Sequence, residues 1–183
     1  MLNSSKPLWI LTILASVGLS LSFDAFAQTA AEKTFHLSLV GYGPIKIGMT
    51  IPQASQAFGI KLLPMGKGPL DPECAYVLPA GKMNAPFAIM VRYGHVVRID
   101  LRQKALQTVS GLSIGMSESR LKMLYKPLLV EPSKYVQGGH TFIYRSKLPA
   151  YTQYSMRFET DGKTVTAIRS GLTEEVSWVE GCS

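Results

Sequence analysis

The chain has 183 residues, a formal net charge of +7, 46% hydrophobic and 17% charged residues, and two cysteines. That balance excludes a disordered or fibrous chain, and the length suits one domain able to bury a proper core. The lysines and arginines are scattered without a run of like charge, which reads as solvated basic surface and not as a nucleic-acid-binding arm.

Lys6 precedes an apolar run, LWILTILASVGLSLSF at 8–23, followed by Asp24 and the triplet Ala25-Phe26-Ala27. This is the order of a secretory signal peptide, so cleavage after Ala27 and a periplasmic or secreted location are expected. The run is shorter than the roughly 20 apolar residues a membrane span requires, and no later segment is long and apolar enough, so no span is expected in the mature chain. Removing 1–27 takes away one lysine and one aspartate, so the charge of +7 survives. A basic surface outside the cytoplasm suits anionic envelope material, and nucleic acid is not an expected partner.

Residues 28–43 read as an N-terminal lead-in. IKIGMTIPQASQAFG, 45–59, then gives a short extended segment broken by Gly48. Thr50 is positioned as a helix N-cap with Gln53 completing a capping box, Ile51, Ala54, Ala57 and Phe58 follow at helical spacing, and Gly59 is a natural stop. Three segments, 74–79, 87–94 and 95–102, read as strands, with Val97, Ile99 and Leu101 alternating against Arg98, Asp100 and Arg102.

LSIGMSESRLKMLYK, 112–126, repeats the opening layout, with Gly115 and Ser117 where Gly48 and Thr50 stood. The capping box is lost, because Arg120 replaces Gln53. Strands are again expected at 140–146, 154–162 and 163–170, with Asp161-Gly162 a strong hairpin signal. A last short strand is expected at 176–179. The pattern predicts an α+β domain of two tandem units, 44–110 and 111–183. Each unit is a helix plus an antiparallel three-stranded meander, with the helices packed on one side of the joined sheet. Cys74 and Cys182, the two cysteines of an exported chain, are expected to form a disulfide that tethers the tail. Neither has the Cys-x-x-Cys or histidine spacing of a metal or redox site.

The Ile47-Gly48-Met49-Thr50 and Ile114-Gly115-Met116-Ser117 starts resemble those of the β-lactamase-inhibitory-protein-like and SmpA/OmlA (BamE-like) group of small exported proteins. The resemblance covers roughly 44–171 at the level of pattern. It implies a non-enzymatic binding or scaffolding role in the envelope and transfers no binding residue.

Chemistry has little foothold in the sequence. His36, His95 and His140 lack ligand spacing, no Gly-x-Ser-x-Gly elbow exists, and MGKGP at 65–69 lacks phosphate-loop spacing. Glu159 and Asp161 flank a tight turn where aspartate serves the backbone. No catalytic residue, metal or cofactor is expected. The richest candidate surface is 135–154, with Tyr135, Tyr144, Arg145, Lys147, Tyr151 and Tyr154, residue types that favour binding hot spots and sugar stacking. Some of these tyrosines are equally suited to the core, since Tyr144 shares a strand face with Phe142. The expected function is a non-enzymatic binding protein, an inhibitor of or assembly partner for another envelope protein. The alternative is a lectin-like protein recognising cell-wall or surface glycan. Oligomeric state is left open.

Overall fold

The computed structural model describes residues 34–66 and 68–182. The expected signal segment at 1–27, and residues 28–33 of the lead-in, lie outside the described residues.

In chain order the elements are β1 (His36–Ser38), β2 (Gly41–Tyr42), β3 (Ile45–Lys46), α1 (Ile51–Phe58), β4 (Leu62–Pro64), β5 (Ala75–Pro79), β6 (Phe87–Arg92) and β7 (His95–Leu101). There follow β8 (Gln107–Thr108), α2 (Glu118–Leu124), β9 (Leu128–Pro132), β10 (His140–Arg145), a 3₁₀ turn (Pro149–Tyr151), β11 (Tyr154–Thr160), β12 (Val165–Leu172) and α3 (Thr173–Ser177).

The two motif copies fold alike, for reasons legible in their residues. Gly48 and Gly115 take φ of +89° and +91°, the left-handed region that favours glycine. An added Cβ at Gly48 would meet nothing, so backbone conformation and not space selects glycine there. Each glycine N–H donates across the fold, Gly48 to Val96 O at 2.7 Å and Gly115 to Val165 O at 2.7 Å. The next residues accept in return, Met49 O from Val96 N–H and Met116 O from Val165 N–H, both at 2.8 Å. Thr50 caps α1 with both bonds of the capping box, its N–H donating to Gln53 Oε1 at 2.9 Å. Ser117 caps α2 alone, accepting from Arg120 N–H at 3.2 Å.

The expected α+β architecture of helix plus three-stranded meander does not hold. Among the described residues the protein is mostly β, with an eight-stranded sheet, a four-stranded sheet and three short helices. The large sheet is antiparallel throughout, in the order β4-β5-β6-β7-β12-β11-β10-β9. The outermost strands, β4 and β9, carry prolines and no alternating pattern, so their sequences do not announce them. The small sheet, β3-β2-β1-β8, is built from strands of two or three residues, too short for a period to register. Nor do all the helices share one side. The segment expected as a last strand is instead α3 and an irregular tail, lying against the face that carries Arg98.

The two faces of the large sheet differ in chemistry. On one, Phe87, Leu101, Ile168, Phe158, Phe142 and Val130 stand in register across six strands. All but Val130 are buried, and they form the centre of the core with Ala54 of α1 and Leu121 of α2. Burying each phenylalanine stabilises the fold by roughly 1.5–3 kcal/mol. On the other face the matching row is Ala88, Asp100, Arg169, Arg157, Ile143 and Leu129. At the seam between β7 and β12, Gly171 lets the strands close, since a Cβ there would lie 2.1 Å from Val97 O.

Cys74 and Cys182 form the expected disulfide, with Cα atoms 5.4 Å apart. Among the described residues no helix is long and apolar enough to cross a membrane.

Candidate functional site

The tyrosine-rich segment does not gather at one place. Tyr144, on β10, and Tyr151, in the 3₁₀ turn, line a cleft of about 310 Å³ together with Tyr125, which follows α2. Its other walls are mainly aliphatic, Leu39, Val40, Val109, Leu124 and Met156, with Ser38, Ser110 and Lys126 among them. Tyr125 and Tyr144 meet edge to face, 5.2 Å between centroids, and Tyr125 packs on Phe158 at 4.7 Å. Tyr151 is exposed.

Four other candidates lie outside that cleft. Tyr154 is half-buried and pairs with Leu172 in the sheet. Tyr135 is exposed and its hydroxyl donates to Glu180 of the tail. Arg145 lines a separate hollow with Ile143 and Leu129, and Lys147 is exposed beyond it.

Tyr125 was not picked out in the sequence, where it reads as the last apolar position of a helix. It is only 4% exposed. Its hydroxyl lies near the side chains of Thr108 and Ser110 yet completes no hydrogen bond of good geometry. Burial pushes its pKa above the usual phenolic value, so it stays protonated and able to donate.

The opposite face holds a polar network that sequence reading also missed. Arg98 is 2% exposed. It donates to Asp100 through Nε (2.7 Å) and Nη2 (2.8 Å), to the Tyr76 hydroxyl (2.7 Å), and through Nη1 to the carbonyls of Glu175 and Trp178 (both 2.8 Å). Arg169 donates to Glu159 at 2.8 Å and to the Trp178 carbonyl at 3.1 Å. Burial pushes the Tyr76 hydroxyl up to about 12, with the Asp100 carboxylate adding to the shift. Burial lowers Arg169, whereas the hydrogen bond and charge of Asp100 outweigh burial at Arg98 and raise it. The signal was the strict alternation Arg98, Asp100 along β7, which the sequence presents as a wet face; the tail that covers it is remote in sequence.

A third cluster joins α2 to the sheet. Glu118 Oε1 accepts from Thr160 Oγ1 at 2.6 Å and lies 2.8 Å from His140 Nδ1, while Lys122 donates to Oε2 at 3.3 Å. Burial alone would raise the Glu118 carboxyl, but these bonds outweigh it and hold it below the ordinary 4.5. Its contribution to stability is therefore present above that value and lost as pH falls through the lower folded pKa. Glu118→Ala should cost about 1–3 kcal/mol at neutral pH by leaving Thr160 and His140 without their shared acceptor. It should also flatten the acid limb of stability below pH 4.5, as read by thermal melts across pH.

No family model and no curated protein matches the chain. It is similar to a solved structure, the uncharacterized protein yfeY from Escherichia coli, at 14% identity and a TM-score of 0.47, over 74% of this chain and 99% of that one. That likeness assigns no role to any residue here. Neither finding links the chain to the β-lactamase-inhibitory-protein-like or BamE-like groups.

Proposed function

We propose that this is an exported, non-enzymatic binding protein whose tyrosine-walled cleft receives an apolar side chain of an envelope protein. The observation that carries this reading is the cleft of about 310 Å³ itself, walled by Tyr125, Tyr144 and Tyr151 against Leu39, Val40, Val109, Leu124 and Met156. An apolar side chain seated there removes water from aliphatic and aromatic walls, which is favourable in proportion to the apolar area covered. The cleft walls favour an apolar occupant over a sugar, and exposed Tyr151 is suited to closing over it. Lys126 adds a cation, which favours an acidic residue on the partner. The signal-like segment, the disulfide and the lack of a spanning helix among the described residues support an exported location.

The test is a photo-crosslinking residue placed at Tyr151, and at Lys82 as a remote control, with the protein exposed to envelope extract. One stoichiometric protein should be captured from position 151 and not from 82, and Tyr151→Ala or Val109→Asp should weaken its retention at least tenfold, about 1.4 kcal/mol. Retention on a glycan resin that free sugar competes, with no protein crosslinked at 151, would overturn the reading in favour of a lectin.

A further inference from the structure

The large sheet ends in two unlike edges. β4 has three residues and closes with Pro64. β9 has five, and exposes Leu129 (54%) on one face and Val130 (49%) on the other. Val130 ends the apolar row that begins at Phe87, and Leu129 ends the row on the opposite face. Both rows stop in mid-pattern at the rim.

Which backbone groups face outward from β9 follows from its neighbours. Ser133 N–H donates to Gly139 O at 2.9 Å, Pro132 has no N–H, and His140 N–H points the other way, to Thr160 Oγ1 at 3.1 Å. The hydrogen-bonded pairs with β10 are therefore 131 with 141 and 129 with 143. The N–H and C=O groups of Leu128 and Val130 face outward, between the missing donors of Pro127 and Pro132.

We propose that a second copy of this chain pairs with this edge, β9 against β9, antiparallel about a two-fold axis at Leu129, so that one sheet runs through both copies. In that register Leu128 of each copy faces Val130 of the other, and the pair exchanges both bonds. The four bonds so formed use every outward N–H and C=O of both residues. Leu129 faces its own copy beside a hollow of about 300 Å³ lined by Pro127, Leu128, Leu129, Ile143 and Arg145. Leu128 and Val130 meet on the other face and continue the apolar row.

Charge also fits. Tyr144 is in register with Leu128, so Arg145 aligns with Pro127. Glu131 of one copy, then Pro127 and Arg145 of the other, stand in one row on one face. Two strand spacings, about 10 Å, separate the glutamate and arginine backbones, a gap their side chains span, and symmetry supplies the pair twice. Moving the axis to Val130 would leave the Leu128 carbonyl opposite a proline and set Glu131 against Leu129.

Sedimentation of the purified protein should give twice the chain mass. Leu129→Cys should form a disulfide-linked dimer under mild oxidation, because facing residues at such a position are about 4.5 Å apart, inside the disulfide range. Val130→Cys should not, since its counterpart is Leu128. Glu131→Arg or Arg145→Glu, both at exposed side chains, should weaken the dimer about tenfold, and the two together should restore it. A monomer at every concentration with no Leu129→Cys crosslink overturns the proposal. So does crosslinking of Val130→Cys in place of Leu129→Cys, or a dimer indifferent to both charge reversals.

Discussion

Replacing both bridging cysteines, Cys74→Ser with Cys182→Ser, should lower stability by about 4–5 kcal/mol. The bridge spans 108 residues, and closing a loop of that order removes about this much from the unfolded chain's freedom in the chain-entropy treatment. The folded state depends on it too. Cys182 anchors the tail whose Glu175 and Trp178 carbonyls accept from Arg98, and whose Trp178 ring lies 4.6 Å from the Arg92 guanidinium. The check is chemical denaturation of the oxidised protein and the double-serine form at neutral pH, compared by midpoint and slope. A loss below about 1 kcal/mol, the scale of a single hydrogen bond, would mean that the tail's own contacts hold it and the bridge adds little.

Arg98→Ala should be nearly as damaging, by about 3–5 kcal/mol, because it leaves the Asp100 carboxylate without its buried cation and opens a space between the sheet and the tail. Asp100 loses two bonds, the Tyr76 hydroxyl loses its donor, and the tail loses the bond from Arg98 to each of two carbonyls, Glu175 keeping only Trp178 N–H and Trp178 only Arg169. Arg98→Lys should recover little of this, since an ammonium cannot reach two sides of the network as the planar guanidinium does. Thermal and denaturant melts of both variants measure it. Stability in Arg98→Ala within about 0.5 kcal/mol of the parent would show the network to be surface decoration.

Much of the local structure was legible in the sequence. The capping box at Thr50 and Gln53, the left-handed stop at Gly59 and the six central strands follow from residue type and period, and each forms within about three residues of its expected bounds. What stayed hidden was set by partners far along the chain. β9, between Pro127 and Pro132, is absent from the expected strands and forms because β10 offers it a ladder. The segment after β12 reads as a strand around Val176 and becomes a helix because Arg98 and Arg169 take its carbonyls and Arg92 takes Glu175. The cleft was half legible. Tyr144 and Tyr151 were picked out for their type, but the choice of these two over Tyr135 and Tyr154 depends on where Ser38–Val40 and Val109 come to lie, and no local pattern states that.

The seam has a kinetic consequence. Within 62–101 and 128–172 every strand of the large sheet pairs with its sequence neighbour, so each half can zip up through short loops. The joint between β7 and β12 brings residues 98–101 against 168–171, across roughly 70 positions of chain. Closing so long a loop comes late, because its entropy is lost before any seam contact repays it. Two half-sheets should therefore assemble ahead of their union. Until that union is made, the apolar row from Phe87 to Val130 is severed between Leu101 and Ile168, and the inner edges of β7 and β12 stand open to association during folding.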